Sequence, residues 1–429
     1  MLDIELFRNN LQKIIESEKK RFKDPSNAEK VLEYDKKWRD TLSTIQELRQ
    51  QRNEISMRIG KFKKAGKEEK AKEAIETSKK IKDKIEELEK INEEYHDKRE
   101  EYRYIVGNMI HETVPIGETE EHNEVVRKVG KLPNFDFKPR NHVDLIEWIN
   151  GADTKKASEI VGSRFYYLKG DIVSLNLSLM KFALEFLIEK GYTPLWTPYF
   201  VKREIIKAAA ELADFEDTLY KIEDEDLFMI ATSEQTVAAF HYDEILEPEI
   251  LPLKYAGVSS CFRREAGSHG KDTLGIFRIH QFEKVEQFVF CKPEDSWDIH
   301  EELISNAEKL YKKLELPYQI VSIASGDLND NAAKKYDLEA WFPASEVYRE
   351  LVSCSNCLDY QARKLKIRMG KVGSEKEKTT VHTLNSTAIA TERTICCILE
   401  NYQTEDGSVK IPKVLQKYMN GKKIIKANK

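Results

Sequence analysis

The feature that most constrains the fold is a proline-free segment from Ala28 to Met109, because proline would interrupt the long helices that such a segment can form. Apolar residues recur through it mostly at steps of three and four, which places them along one narrow side of a helix. This stripe predicts two helices packed antiparallel, with the chain reversing between Gly60 and Gly66. It consists of Trp38, Leu42, Ile45, Leu48, Ile55, Ile59 and Phe62 on the first limb and Ala74, Ser78, Ile81, Ile85, Leu88 and Tyr95 on the second.

Charge is distributed unevenly along the 429 residues. Residues 1–110 carry 27 Lys/Arg and 24 Asp/Glu, a net +3. Because the whole chain has a net charge of −5, the remaining residues carry a net −8. This change in composition predicts a helical arm over 1–113 and a second domain over 114–429. Residues 58–84, around the predicted reversal, contain 11 Lys/Arg and 5 Asp/Glu. That excess of +6 fits either a solvated charged surface or a surface that binds phosphate groups.

The cysteines and the hydropathy indicate a cytoplasmic protein with no membrane partner. No signal peptide or long apolar run is present, and the cysteine spacing does not suggest a disulfide framework. Cys354 and Cys357 are separated by two residues, but there is no second pair at ligand spacing. We therefore expect structural thiols and no structural zinc. The six cysteines are Cys261, Cys291, Cys354, Cys357, Cys396 and Cys397.

The second domain mixes strands and helices without a regular βα repeat, so the predicted fold class is α+β, with an antiparallel sheet flanked by helices. Prolines at both ends of TPLWTPYFV predict an edge or interface strand. No G-x-x-x-x-G-K-[ST] or G-x-G-x-x-G sequence is present, so side chains would have to hold any nucleotide phosphates. Helices are predicted over 175–192, 297–315 and 388–402, and strands over 254–264, 276–290 and 350–358.

The predicted hairpin over 261–290 is unusual because charged residues recur within both strands. Alternation along a strand would place Arg263 and Glu265 on one face, and would do the same for Arg278, His280, Phe282, Lys284 and Glu286. Arginine suits phosphate binding, and phenylalanine offers a stacking plane for a base. Ion pairs across a solvent-facing sheet would produce a similar pattern, so the hairpin alone leaves both interpretations open.

Five segments together resemble the seryl-tRNA synthetase family of class II aminoacyl-tRNA synthetases. FRREAGSHGKDTLGIFRIHQFEKVEQF is similar to motif 2 and GYTPLWTPYFV to motif 1, whose proline corresponds to Pro198. HTLNSTAIATERTICCILENYQ is similar to motif 3 and contains the family's arginine at Arg393. ATSEQ resembles the serine-specific loop, and RELVSCSNCLDYQARKLKIR resembles the metal and nucleotide strand. The wording of the motifs is closest to that of eukaryotic cytosolic members.

The resemblance implies an N-terminal antiparallel two-helix coiled-coil arm followed by a class II catalytic domain. It implies a homodimer with Pro198 at the interface. The implied enzyme activates L-serine with ATP and Mg²⁺ to give seryl-adenylate and pyrophosphate. It then transfers the seryl group to the 3′ end of tRNA(Ser), with selenocysteine tRNA as a second candidate partner. The arm would grip the tRNA, which favours the phosphate-binding interpretation of its basic segment.

The resemblance also implies the roles of individual residues. Arg263, Arg393 and Glu350 would be catalytic, with Glu350 and Ser353 holding Mg²⁺ through ATP. Glu265 would bind the adenine amino group. The serine pocket would comprise Thr232, Ser233, Glu234, Arg263, Glu286, Asn385 and Thr387. The ATP site would comprise Arg263, Arg264, Glu265, Arg278, Ile279, His280, Gln281, Phe282, Glu350, Leu351, Val352, Ser353 and Arg393.

Two residues depart from the family pattern, and two other function classes share parts of it. Leu274 occupies a position in the motif 2 loop that often holds arginine, which predicts altered contacts with the tRNA acceptor end. Glu392 beside Arg393 is unusual, and we expect it to point away because adjacent helical residues do not face each other. A catalytically silent relative would lack the pocket residues. A ligase that loads a carrier protein would generally lack the arm.

Overall fold

The computed structural model describes residues 1–209, 218–265, 274–371 and 378–428. The chain divides into two compact units, Met1–Gly107 and Asn108–Lys429, close to the boundary that composition predicts after residue 113. Asn108 already belongs to the second unit, because its side-chain Nδ2 donates to the carbonyl oxygens of Asn331 and Cys357, each at 2.8 Å. Within the described residues, no helix is both long and apolar enough to cross a membrane.

The first unit is helical and contains the predicted pair of long helices. Its helices are α1 (Ile4–Lys20), α2 (Ser26–Lys64) and α3 (Glu68–Ile105). Helices α2 and α3 run antiparallel, since Asn92 Nδ2 donates to the Trp38 carbonyl at 2.7 Å and the Tyr34 and Tyr102 rings stack with centroids 5.7 Å apart. Every residue of the predicted stripe is buried or half-buried. The coiled-coil pattern is therefore confirmed.

The position of the reversal differs from the prediction. Helix α2 continues through Gly60 to Lys64, and the chain turns at residues 65–67. Gly66 adopts a φ of +69°, in the left-handed region that a side chain disfavours. Gly60 lies within the helix, where glycine lowers stability but does not end the helix when partner contacts continue. Only one of the two glycines makes the turn.

A buried ionic cluster joins the three helices of this unit. The Asp35 side chain is fully buried and receives Arg8 Nε and Nη2, each at 2.8 Å. Arg39 Nε lies 3.0 Å away, and Arg99 Nη1 lies 3.3 Å away. The Arg99 guanidinium also lies over Trp38, 4.6 Å from the ring centroid. One carboxylate on α2 therefore binds arginines from α1, α2 and α3.

The second unit contains an eight-stranded sheet in the order β1-β10-β11-β12-β15-β9-β8-β4. All of its neighbouring strands are antiparallel except β4 and β8. The predicted antiparallel sheet is confirmed, and β4 lies at its edge, as the flanking prolines predicted. In chain order, the strands of this unit are β1 (Glu124–Val129), β2 (Ala152–Asp153), β3 (Tyr167–Leu168), β4 (Thr193–Trp196), β5 (Phe200–Lys202), β6 (Leu227–Met229), β7 (Ile245–Leu246), β8 (Leu253–Phe262), β9 (Gln281–Cys291), β10 (Tyr318–Ser322), β11 (Lys334–Phe342), β12 (Val347–Asn356), β13 (Arg368–Met369), β14 (Thr379–Thr380), β15 (His382–Ala390), β16 (Val409–Lys410) and β17 (Ile424–Ile425).

Helices pack against both sides of this sheet, and those on one side bury the main core against it. Leu179 of α6, Leu303 and Tyr311 of α9 and Ile395 of α11 are buried in one cluster with sheet residues such as Leu384. This burial leaves the ends of the central strands β8, β9, β12 and β15 to carry polar side chains. The helices of this unit are α4 (His142–Trp148), α5 (Thr154–Ile160), α6 (Asp171–Glu189), α7 (Arg203–Ala209), α8 (Glu234–Ala238), α9 (Ser296–Lys313), α10 (Tyr360–Lys364) and α11 (Thr391–Asn401).

Several predicted element boundaries are wrong next to the charged hairpin. Strand β8 ends at Phe262, so Arg263 and Glu265 do not alternate along a strand, and Glu265 has a φ of +48°. Strand β9 begins at Gln281, so residues 276–280 form a loop rather than strand. Residues 388–390 belong to β15, and the predicted helix begins only at Thr391. The chain leaves the strand geometry where its polar side chains converge.

Candidate active site

A single cavity collects most of the residues that the sequence predicted for the site. Its walls come from the ends of β8, β9, β12 and β15 and from the start of α11. The predicted residues that line it are Thr232, Glu234, Arg263, Glu265, Arg278, Ile279, Phe282, Glu286, Glu350, Leu351, Ser353, Asn385, Thr387 and Arg393. Residues that lie up to 161 positions apart in sequence thus meet at one place.

The remaining predicted site residues lie outside this cavity lining. Ser233 is fully buried and donates from Oγ to the Gly257 carbonyl at 3.3 Å. His280 turns back on the main chain, with Nδ1 2.8 Å from the Arg263 carbonyl oxygen. Pro198 is exposed between β4 and β5. The other three are Arg264, whose backbone N–H donates to the Thr218 carbonyl, Gln281 at the start of β9 and the buried core residue Val352.

One end of the cavity holds a buried cation–carboxylate–hydroxyl group. Lys284 Nζ lies 2.6 Å from Glu286 Oε2, and both side chains are almost completely buried. Thr387 Oγ1 on the neighbouring strand donates to the same oxygen at 3.2 Å. Lys284 was not among the predicted site residues, although its spacing of two from Glu286 on a strand was the available signal.

Glu234 lies beside this group and is held by two amides. Its Oε1 accepts from Gln361 Nε2 at 2.7 Å and from Asn385 Nδ2 at 3.0 Å. Burial raises the pKa of Glu234 to about 7, and the negative charge of Glu286 adds to that effect. Gln361, on α10, was missed because nothing in its local sequence indicates that it contacts Glu234.

The other end of the cavity offers a ring and several guanidinium groups. The Arg263 guanidinium lies 5.1 Å from the centroid of the Phe282 ring, and Arg263 Nε donates to the Ala231 carbonyl at 3.3 Å. Arg278 Nη1 lies 3.2 Å from Glu265 Oε2. A planar aromatic surface beside arginines suits a nucleotide, since the base can stack and the phosphates can pair with the cations.

Arg393 and Glu350 form the third part of the cavity. Arg393 Nη1 lies 3.4 Å from Glu350 Oε2 and donates to the Glu350 carbonyl at 3.1 Å. Burial alone would raise the pKa of Glu350, but Arg393, Lys335 and Arg263 hold it below its usual value. Ser353 also lines the cavity, and on the neighbouring strand Asp337 Oδ1 is buried without a hydrogen bond among the described residues.

Glu392, the unusual neighbour of Arg393, points away from it, toward Tyr166 and Glu283. Its Oε1 lies 2.6 Å from the Tyr166 hydroxyl oxygen, and its Oε2 accepts from the Glu283 backbone N–H at 3.0 Å. Leu274, the other departure, is exposed. The preceding part of the motif 2 loop, residues 266–273, lies outside the described residues.

The described cysteines and acidic residues do not form a metal site on their own. All six cysteines are buried free thiols. Cys354 Sγ donates to the His300 carbonyl and Cys357 Sγ accepts from Asn385 Nδ2, so the two thiols have separate partners. Across residues 1–209, 218–265, 274–371 and 378–428, no group of three or more His, Cys, Asp or Glu side chains could hold a metal ion.

Comparison with known proteins decides the family. Residues 1–110 match the "Seryl-tRNA synthetase N-terminal domain", and residues 219–402 match the "tRNA synthetase class II core domain (G, H, P, S and T)". A serine–tRNA ligase of Methanosphaera stadtmanae is 61% identical over 427 residues, covering all of both chains. This chain belongs to the seryl-tRNA synthetase family. A family member from Helianthus annuus, also a serine–tRNA ligase, is 50% identical over 98% of each chain.

A solved structure supports the same assignment. The seryl-tRNA synthetase of Pyrococcus horikoshii, crystallised with ATP, superposes with a TM-score of 0.95 at 46% identity, and each chain is covered completely. The class II fold and the N-terminal arm predicted for this chain are therefore confirmed. The motif wording does not assign it to the eukaryotic cytosolic type, because the archaeal relative from Methanosphaera is more similar to it than the plant relative is.

Proposed function

We propose that this chain is a serine–tRNA ligase. It activates L-serine with ATP to give seryl-adenylate and pyrophosphate, and then transfers the seryl group to the 3′ end of tRNA(Ser). One observation carries the proposal: the same cavity joins a buried carboxylate and hydroxyl pocket to Arg263 and Arg393. The pocket suits a small polar amino acid, and the arginines suit the phosphates of the nucleotide that must react with it.

Serine recognition rests on Glu234, Glu286 and Thr387. The two carboxylates attract the α-ammonium group, and Glu286 with Thr387 offers hydrogen bonds to the substrate hydroxyl. A site built for a hydroxyl rejects an analogue that lacks it by about 10⁴–10⁵, because buried polar groups would be left unpaired. Alanine should therefore be excluded strongly. Threonine is excluded only by lack of room for its methyl group, which is worth roughly 1–3 kcal/mol.

ATP would place its adenine against Phe282 and its phosphates among Arg263, Arg278 and Arg393. In the first step, an oxygen of the serine carboxylate attacks the α-phosphorus, and the bond from that phosphorus to pyrophosphate breaks. No general base is needed, because a free α-carboxyl group with a pKa of about 3.5 is already ionised at neutral pH. Positively charged side chains instead offset the repulsion between the carboxylate and the phosphates.

The residues present fit a Mg²⁺ ion bound together with ATP. Glu350 is ionised and open to the cavity, and Ser353 lines the cavity beside it. Mg²⁺ prefers oxygen ligands and is usually held by one or two carboxylates together with substrate phosphates. These two residues would hold the ion, and the phosphates would complete its shell. When bound, Mg²⁺ neutralises phosphate charge.

Transfer to tRNA requires a second binding surface, and the helical arm supplies it. The excess of +6 on residues 58–84 lies around the tip of the α2–α3 pair. Double-stranded RNA is recognised mainly by its shape and its backbone, which suits an extended basic limb. The arm also favours tRNA over a carrier protein as acceptor. A selenocysteine tRNA is the second candidate partner, and a cytoplasmic location follows from the same role.

The proposed enzyme is a homodimer that associates through the region around Pro198. On either side of this proline, the side chain of Trp196 on edge strand β4 is 74% exposed and that of Phe200 on β5 is 46% exposed. Large apolar residues exposed together on a surface mark interaction sites. Sedimentation of the wild type and of Trp196→Glu would test the dimer. Leu132→Glu, at another exposed apolar residue, is the control.

The decisive experiment is amino-acid-dependent ATP–pyrophosphate exchange with serine, threonine and alanine, each with and without Mg²⁺. Exchange with serine alone supports the proposal, and its loss in Arg263→Ala but not in Arg203→Ala locates it in the cavity. Arg203 pairs with Asp226 outside the cavity and controls for loss of an arginine. No exchange with any of the three amino acids would contradict the enzyme assignment and favour a silent RNA-binding relative. Charging of serine and selenocysteine tRNAs then tests the second step.

A further inference from the structure

The hydroxyl of Tyr166 lies between two carboxyl groups at the edge of the cavity. It is 2.6 Å from Glu392 Oε1 and 3.3 Å from Glu283 Oε2. Glu392 is almost completely buried, at the second position of α11, and Glu283 is half-buried near the start of β9. Two carboxyl groups at this spacing around one hydroxyl are costly to bury if both carry a full negative charge.

The donors around the two carboxyl groups supply one hydrogen fewer than the contacts of the four carboxyl oxygens require. Glu392 Oε2 accepts from the Glu283 backbone N–H at 3.0 Å and from Thr391 Oγ1 at 2.9 Å. Glu283 Oε1 accepts from Ser260 Oγ at 3.2 Å. The other oxygen of each carboxyl group faces Tyr166, whose hydroxyl has one hydrogen to give and can also accept. One carboxyl group must supply a hydrogen for both contacts to be hydrogen bonds.

We propose that Glu283 and Glu392 share one proton through Tyr166, and that this relay positions the two elements that carry the ATP-binding side chains. In the arrangement that satisfies every atom, Glu392 carries the proton on Oε1 and donates it to the Tyr166 oxygen. The Tyr166 hydroxyl donates in turn to Glu283 Oε2, 3.3 Å away. Glu283 and Glu392 are positioning residues, since neither needs to touch the substrate.

The relay fastens the start of α11 to the start of β9. Besides the contacts of Glu392, Thr391 Oγ1 lies 3.3 Å from the Glu283 carbonyl oxygen. Phe282 precedes Glu283 directly, and Arg393 follows Glu392 directly. The aromatic plane assigned to adenine and one of the arginines assigned to the phosphates are thus positioned by the same few hydrogen bonds.

The electrostatic surroundings agree with a shared proton. Burial raises the pKa of Glu392 well above its usual value, and the adjacent Glu283 carboxyl adds to the shift. The other titratable groups around it are Tyr166, whose pKa burial also raises, and the buried thiol of Cys396 one turn along α11. Arg393 does not compensate the charge, because its guanidinium lies against Glu350.

Loss of the proton at high pH would place two negative charges beside one hydroxyl. The two carboxylates would then repel each other, and the start of α11 would be held less firmly to the start of β9. The consequence rests on the proposed function, because it concerns the ATP site of the ligase. We expect the KM for ATP in pyrophosphate exchange to rise about tenfold as the pair loses its proton, which corresponds to ~1.4 kcal/mol of binding energy. The KM for serine, bound at the other end of the cavity, should change much less.

Glu392→Gln is the informative variant, because its amide is neutral at every pH and can both donate to Tyr166 and accept from Thr391. We expect the alkaline rise in the KM for ATP to disappear in Glu392→Gln. Glu392→Ala, which cannot make these contacts, should show a raised KM for ATP throughout the pH range. The same rise in wild type and Glu392→Gln would overturn the proposal.

Difference infrared spectroscopy tests the proton without any assay of activity. At neutral pH the wild-type spectrum minus that of Glu392→Gln should show the band of a protonated carboxyl group, because the band of Glu234, whose pKa is about 7, is common to both and cancels. The band should shift in Tyr166→Phe. A spectrum without that band would overturn the shared proton, whatever the kinetics. Absence of pyrophosphate exchange together with the band would instead contradict the proposed function and leave the relay standing.

Discussion

Lys284 and Glu286 lie two residues apart on β9, with Lys284 Nζ 2.6 Å from Glu286 Oε2 in an almost fully buried pair. The same oxygen, Oε2, accepts from Thr387 Oγ1. Both contacts among the described residues thus use Oε2, and the other oxygen, Oε1, can bind a ligand. A lysine thus fixes the carboxylate that we assign to the serine hydroxyl. A buried carboxylate keeps its charge only with such a partner, because desolvation otherwise favours the protonated form.

The first prediction concerns Lys284→Met. Without the ammonium group, the buried Glu286 carboxylate loses the partner that compensates its charge and fixes its position, so we expect the KM for serine to rise by more than about tenfold. The KM for ATP should change far less. Pyrophosphate exchange at varied serine and varied ATP measures both values.

A matched pair on the neighbouring strand controls for general loss of stability. Lys254 Nζ on β8 lies 2.7 Å from Glu302 Oε1, outside the cavity. Lys254→Met should lower the thermal midpoint without raising the KM for serine. Equal increases in the KM for serine in the two variants would show that Lys284 acts only through stability. The double variant Lys284→Met/Glu286→Gln should regain stability but not serine binding.

The second prediction concerns the pH dependence of serine binding. The pKa of Glu234 is about 7, raised first by burial and then by Glu286, whereas the hydrogen bond from Gln361 lowers it. As the pH falls through about 7, Glu234 becomes neutral and attracts the serine ammonium group less, so the KM for serine should rise. Gln361→Leu removes a bond to the charged form and should move this midpoint to higher pH.

Gln416 supplies a control for that substitution, since it is half-buried and its side chain donates to the Ile411 carbonyl away from the cavity. Gln416→Leu should leave the midpoint where it is in the wild type. A midpoint that stays in place in Gln361→Leu as well would rule out Glu234 as the titrating group. The pH profile of serine KM in pyrophosphate exchange provides the measurement.

The third prediction concerns the ionic cluster of the helical unit. Although burial raises the pKa of Asp35, Arg8 above all, with Arg39 and Arg99, holds it below its usual value. The stability from this carboxylate is therefore present above its unfolded-state pKa and is lost as the pH falls through the lower folded-state pKa. Asp35→Asn should destabilise the unit by about 3 kcal/mol at neutral pH.

Hydrogen exchange of residues 26–105 would measure that loss and resolve it from changes elsewhere. Asp40→Asn, at an exposed position on the same helix, should exchange like the wild type. Serine-dependent pyrophosphate exchange should persist in Asp35→Asn, because the cavity residues all lie in the second unit, while tRNA charging declines. Unchanged protection in Asp35→Asn would mean that the cluster contributes little to stability.

Periodicity and motif wording predicted the long-range organisation better than the local geometry. The stripe from Trp38 to Tyr95 was recognisable because two helices in contact repeat the same simple constraint over many turns. The local geometry of the site was harder to predict from the sequence. Glu265 adopts a positive φ beyond the end of β8, and His280 turns back on the main chain. Alternation along a strand therefore could not predict which way these side chains point.

The residues that sequence reasoning missed are those whose role depends on contacts across the fold. Gln361 reaches Glu234 over 127 positions, and no local pattern marks it as a partner. Glu392 was expected only to point away from Arg393, and its place between Thr391 and Tyr166 depends on how α11 meets the chain before β3. Lys284 was recognisable as unusual for a strand, but its partner was identified only by the side-chain distance.

The last prediction concerns the tip of the arm. Lys63 and Lys64 end α2 and Lys67 precedes α3, and all three side chains are exposed. If this surface binds the tRNA backbone, the triple substitution to glutamate replaces attraction by repulsion and should raise the KM for tRNA in the charging reaction by about tenfold or more. Serine-dependent pyrophosphate exchange, which needs no tRNA, should be unaffected.

Salt dependence separates a direct phosphate contact from a general change in charge. Each lost contact should reduce the slope of log affinity against log salt concentration by up to about 0.9, so the triple variant should show a clearly shallower slope. The control triple carries glutamate at Lys13, Lys19 and Lys20, which are exposed on α1 and give the same change in net charge. A control with the same rise in KM and the same slope would indicate long-range electrostatics instead of contact at the tip. A tip variant that charges tRNA like the wild type would show that the basic excess is a solvated surface.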